Sequence, residues 1–114
     1  MEKRLISSYD KENDTFVGKV DGEHGYVADY NISDGIFLNI DKNNVPTSVF
    51  VSEASEVLNV SQECLESANV KICIDCNDEC LLFKMFVGNS EICSLRCRND
   101  FGIPSSEYLM DCNI

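Results

Sequence analysis

Thiols are the residues here with the most obvious capacity for chemistry. The stretch "CIDCNDEC", residues 73–80, places Cys73, Cys76 and Cys80 within eight positions, and "CSLRC", residues 93–97, adds Cys93 and Cys97. Paired in this way, Cys73, Cys76, Cys93 and Cys97 suggest a thiolate zinc or iron site, or a redox pair. A tetrahedral site needs four ligands at about 2.3 Å from one point. Local sequence argues against such a knuckle. The first pair encloses β-branched Ile74 and Asp75 where a small residue or glycine would let the chain fold under a metal, and the second pair has three intervening residues with no Gly or Pro.

The competing reading is a β-sheet that uses cysteine as a small apolar residue. Alternation puts Val70, Ile72, Ile74 and Cys76 on one face of a strand and Lys71, Cys73 and Asp75 on the other. A turn at Asn77-Asp78 would set Ile74 opposite Leu81, Ile72 opposite Phe83 and Val70 opposite Met85. A three-residue turn, Gly88-Asn89-Ser90, would then set Met85 opposite Cys93, Phe83 opposite Leu95 and Leu81 opposite Cys97. In that register Cys76, Cys93 and Cys97 join the buried row. Cys73 and Cys80 lie diagonally on the second face, and no four sulfurs converge. Cys64 and Cys112 are isolated in sequence. The expected metal and cofactor set is therefore none, with the four-cysteine site as the alternative.

Other chemistry is sparse. The single histidine, His24, sits in the turn "DGEHG", and no nucleophile elbow, phosphate loop or dinucleotide fingerprint is present, so no catalytic residue is assigned. The carboxylates of "DKEND" (Asp10–Asp14), "SDG" (Asp34) and "DKNN" (Asp41) lack the ligand spacing of a calcium loop and read as turn chemistry.

The elements that must position these groups are mostly strands. "LISSY", "TFVGKV", "YVADYNI", "GIFLNI" and "TSVFV" are five short strand-like runs separated by turn residues. Between about residues 53 and 68 the period changes. Ser52 and Ser61 are good N-caps there, and one or two short helices follow. After the cysteine-bearing strands, Pro104, Ser105-Ser106 and the spacing of Tyr108, Leu109 and Cys112 predict a short C-terminal helix.

The chain has 114 residues, 44% hydrophobic and 25% charged, which fits one domain able to bury about two thirds of its unfolded surface. No apolar run reaches the ~20 residues of a membrane span and the start lacks a signal-peptide hydrophobic region, so a soluble, cytoplasmic protein with reduced thiols and no membrane partner is expected. The net charge is −11, with 5 Lys/Arg against 11 Asp/Glu in residues 1–60 and 4 against 9 in residues 61–114. Acidity on both halves disfavours nucleic acid; it reads first as a means of solubility, and as a functional alternative it suits a basic protein partner.

Residues 5–58 resemble a small prokaryotic family known only as domain of unknown function 2283. The likeness is carried by Tyr9-Asp10, Asp14, the turn Asp34-Gly35-Ile36, Asp41, Val49-Phe50-Val51 and Ala54-Ser55. It implies a small sheet packed by a helix, without an established activity, and so transfers no catalytic role to Asp10, Asp14 or Asp34. The polar "DGEHG" segment and the whole second half depart from it.

The fold expected is a single α+β domain of two antiparallel β-meanders, each followed by short helical structure. Residues 1–60 hold the first meander and helix, and residues 61–114 a short helix, the second meander and a C-terminal helix. The expected function is that of a non-enzymatic interaction or regulatory module, self-associating through exposed strand edges or binding a basic protein.

Overall fold

Alternation of buried and exposed residues governs most of the chain. The computed structural model describes residues 2–22, 28–66, 70–100, 102–103 and 106–110, with segments 2–3 and 106–110 described through their backbone. β1 (Glu2–Asp10) and β2 (Thr15–Val20) form a hairpin, followed by β3 (Ala28–Ser33), β4 (Ile36–Ile40) and β5 (Pro46–Val51). Two short helices, α1 (Ala54–Val57) and α2 (Gln62–Glu66), lead into β6 (Val70–Cys76), β7 (Cys80–Val87), β8 (Ser90–Arg98) and β9 (Ser106–Met110).

All nine strands belong to one sheet, in the order β3-β4-β5-β2-β1-β9-β6-β7-β8. Every pairing is antiparallel except β1 with β9. The sheet curls until its two edge strands, β3 and β8, come into contact. There the Tyr30 hydroxyl donates to the main-chain oxygen of Arg98 and lies 3.9 Å from Cys97 Sγ. The result is an incompletely closed barrel around one core, to which both halves contribute: Leu5, Phe16, Leu38 and Val51 from the first, Ile72, Ile74, Phe83 and Met85 from the second. Tyr30 is 9% exposed, so its ring belongs to this core while its hydroxyl spans the seam.

Three expectations are corrected here. The fold is mostly β, not α+β, because the helices are only four and five residues long. The first five strands are not a simple meander, since β5 returns to pair with β2 rather than ending the sheet. The predicted C-terminal helix is instead β9 over Ser106–Met110. That strand lies between β1 and β6, with Lys3 opposite Tyr108 and Ile72 opposite Tyr108. Without it, β1 and β6 would each present unpaired backbone groups, so partners distant in sequence outweigh a helical spacing too short to be stable by itself. Cys112 lies outside the described residues.

Helix starts also differ from expectation. Ser61 does cap α2, its Oγ accepting from Cys64 N at 3.1 Å. Ser52 does not cap α1; its N–H donates to Gly35 O at 2.8 Å. The α1 N-cap is Glu53, which makes no side-chain capping bond. Asp14 performs that role from the β1–β2 turn, accepting from Ser55 N at 3.0 Å and Ser55 Oγ at 2.7 Å. No described helix is long and apolar enough to cross a membrane.

Candidate functional site

The "CIDCNDEC" stretch is the end of β6, a loop and the start of β7. Asn77 organises the loop: its Oδ1 accepts from Glu79 N at 2.8 Å and Cys80 N at 2.7 Å, and its own N–H donates to Cys80 O at 2.9 Å. Because four residues intervene between paired Cys76 and Leu81, the β6–β7 register differs by two from the one expected: Ile74 faces Phe83, Ile72 faces Met85 and Val70 faces Val87. An even shift preserves the faces, so the expected buried row survives. The shift also moves Cys73 opposite Lys84, four positions along the strand from Cys80, and removes their expected diagonal proximity. Between β7 and β8 the expected pairs Met85–Cys93, Phe83–Leu95 and Leu81–Cys97 all occur. Their cause differs: the turn is Gly88-Asn89, with a bulge in the ladder after Met85 restoring the register.

Cys76, Cys93 and Cys97 accordingly pack against the core, whereas Cys73 lies on the outer face. Cys76 and Cys97 share a row but flank Leu81, two strand spacings apart, or roughly 10 Å. Among the described residues no group of three or more His, Cys, Asp or Glu is placed to hold a metal ion. Burial raises the Cys76 thiol to about 11, helped by Asp75 and Cys97. Cys93 is raised by burial and by Glu91, and Cys97 by burial against a smaller lowering from Tyr30. All three shifts disfavour the thiolate that both metal binding and redox exchange require. His24 lies outside the described residues.

The carboxylates singled out by their spacing act in turns. Asp10 accepts from the Glu12 and Asn13 main-chain N–H groups and from Asn13 Nδ2 at 2.7 Å, and these bonds lower its pKa. Asp41 Oδ1 accepts from Asn43 N at 2.8 Å and Val45 N at 3.0 Å. Asp14 accepts from Tyr9 Oη at 2.5 Å as well as from Ser55, and both lower its pKa. The tyrosine is pushed up to about 12 by burial first and Asp14 second. Tyr9, Asp14, Ala54 and Ser55, which carry part of the resemblance noted above, thus form one cluster that fastens α1 to the first hairpin; Ala54 N donates to Asp14 O at 2.7 Å.

The feature with the character of a contact site lies outside the barrel, on β2, β5, β4 and β3. Inward-facing Ile36, Leu38, Ile40, Val49 and Val51 leave Phe37 and Phe50 pointing out. The two are directly paired across β4 and β5, with ring centroids 6.2 Å apart and tilted by 57°. Val17 follows Phe50 in the same row, and Ile6, 47% exposed, lies in the next. That neighbouring row runs Ile6, Lys19, Ser48, Asn39, Asp29 across five strands. A concavity of about 320 Å³ is lined by Asp29, Phe37, Asn39 and Phe50. Asn39 Nδ2 donates to Ser48 Oγ at 2.5 Å, which fixes the amide.

Protein families, curated proteins and solved structures alike yield no match to this chain.

The outward aromatic pair was within reach of sequence reasoning. "GIFLNI" and "TSVFV" each place three apolar residues in succession, Ile36-Phe37-Leu38 and Val49-Phe50-Val51, which hides the alternation, but aliphatic residues at every second position isolate one Phe in each run. Two facing strands that each place an aromatic between inward aliphatics are the signal for such a patch.

Proposed function

We propose that this protein is a non-enzymatic interaction module and that its contact surface is the aromatic face formed by Val17, Phe37 and Phe50. The observation that carries this reading is the pairing of Phe37 with Phe50 outside a core that already holds large side chains from both halves. Phe50 is 37% exposed. Covering the rest of one such ring would contribute on the order of 1–2 kcal/mol, more than a typical surface ion pair. A polar margin of Lys19, Ser48, Asn39 and Asp29 along one side of an apolar centre fits the anatomy of a contact patch.

This replaces association through strand edges as the favoured route. The two edge strands face one another, and bulges interrupt both edge ladders, near Asn31 and Ser33 in β3 and opposite Met85 and Phe86 in β8, a common protection against edge pairing. The likeness of residues 5–58 to domain of unknown function 2283 belongs to the same proposal; a curled sheet fastened to a short helix by Asp14 and Ser55 supports the layout it implies.

Light scattering and pull-downs with wild-type protein and Phe50→Ser test the reading, with Asp78→Asn on the distant loop as control. The expected result is association that Phe50→Ser abolishes and Asp78→Asn preserves, with unchanged circular dichroism. A strictly monomeric wild type that recovers no partner, or association indifferent to Phe50, overturns it.

A further inference from the structure

We propose that the concavity beside Phe37 and Phe50 receives a lysine or arginine side chain from a basic protein partner; this rests on the contact face proposed above and names what it binds. The lining combines two chemistries. The ring faces of Phe37 and Phe50 carry negative quadrupolar potential, and their tilted arrangement offers apolar walls to an alkyl stem. Asp29 and Asn39, paired across β3 and β4, line the same concavity with a carboxylate and an amide. Because the Asn39 nitrogen donates to Ser48, its carbonyl oxygen is the end suited to accept from a ligand. A long side chain ending in a cation satisfies walls and rim together.

Charge complementarity points the same way. The chain carries −11 overall, which draws cationic partners towards it. The opposite wall of the barrel shows the pairing in miniature: on β6 and β7, Lys71 Nζ sits 5.9 Å from the centroid of the Phe86 ring. Among the described residues no such cation–ring contact involves Phe37 or Phe50. An outward phenylalanine of this barrel thus already accommodates a lysine side chain.

The test is an amide NMR titration in 0.15 M NaCl with three octapeptides: one alternating Arg or Lys with Ser, one with Gln at the basic positions, one with Leu there. The expected outcome is saturable shifts from the basic peptide alone, confined to residues 15–20 and 28–51. Asp29→Asn should weaken binding at least fivefold and Phe50→Ala at least tenfold, with Asp78→Asn unchanged and circular dichroism confirming that each variant folds. Shifts scattered over both halves, equal binding of the Leu peptide, or indifference to Asp29→Asn would each overturn the assignment of a cationic ligand. No binding of the basic peptide, alongside self-association still abolished by Phe50→Ser, would also overturn it and leave the contact face standing with a second copy as occupant. Loss of both effects would remove the face itself.

Discussion

Tyr30 on β3 and Arg98 on β8, sixty-eight positions apart in sequence, are joined by a hydrogen bond from the phenol to the main-chain oxygen, where the two ends of the nine-stranded sheet meet. β3 and β8 share no ladder of backbone pairs, so the Tyr30 hydroxyl, bonded to Arg98 O and 3.9 Å from Cys97 Sγ, provides a specific polar link across the seam. Tyr30→Phe keeps the buried ring and deletes the link. We expect a loss of about 1 kcal/mol in denaturant unfolding. Hydrogen exchange should quicken in β3 and β8 more than in β1 and β2; uniform exchange across the sheet would contradict a seam role.

Gly35 and Gly88 separate conformational cost from steric cost. Both have positive φ, 81° and 61°. A Cβ on Gly35 would lie 2.9 Å from Val57 Cγ2 and 3.1 Å from Ser52 O, whereas one on Gly88 meets nothing within 4 Å. Gly88→Ala should cost about 1 kcal/mol and Gly35→Ala clearly more, roughly 2–4 kcal/mol, because α1 must shift as well. Equal melting temperatures for the two variants would contradict this packing of α1.

Alkaline titration should reveal two late tyrosines. Tyr9 is raised to about 12 by burial and Asp14, and Tyr30 to about 12 by burial and Cys97. The folded state holds these protons more tightly than the unfolded one, so their stabilisation is complete below about pH 10 and is lost as pH rises from there to about 12. Absorbance at 295 nm should show both phenols ionising late, and denaturant midpoints should fall as pH rises from about 10 to about 12. Replacing both with phenylalanine should flatten that decline. In acid the sign reverses: Asp10 and Asp14 have lowered values, so their contribution is present above the ordinary carboxylate range and disappears as pH falls through their folded values.

Thiol reactivity provides a separate check on the cysteine rows. With its thiol raised to about 11, Cys76 should alkylate at pH 8 roughly a hundredfold more slowly than free cysteine. Peptide mapping after brief iodoacetamide treatment should find Cys76, Cys93 and Cys97 labelled after Cys73, and chelator should leave the melting curve unchanged. Stoichiometric zinc protecting Cys73 and Cys76 together would contradict their placement on opposite faces.

Legibility followed the range of the interactions. The buried row of β6 to β8 could be read because Val70, Ile72, Ile74, Leu81, Phe83 and Met85 alternate strictly, and alternation survives a register error of two. The error itself came from Asn77, whose side chain holds a longer loop than an Asn-Asp turn predicts. β9 was hidden because its partners, β1 and β6, lie far away in sequence and a parallel pair leaves no local trace. Asp14 looked like turn chemistry and is, yet its bonds to Ser55, 41 positions on, depend on how the hairpin and α1 dock. The aromatic face is hard to read from sequence because Phe37 and Phe50 each sit between aliphatic neighbours, Ile36 and Leu38 or Val49 and Val51, so no polar residue marks the outward positions there.

The place of β9 between β1 and β6 carries a kinetic implication. Each half can assemble its own hairpins during synthesis, but the strand that welds them follows the other eight in the chain. Until it docks, β1 and β6 each offer an unpaired edge to other chains, so the interval before β9 is in place is when aggregation competes most strongly with folding.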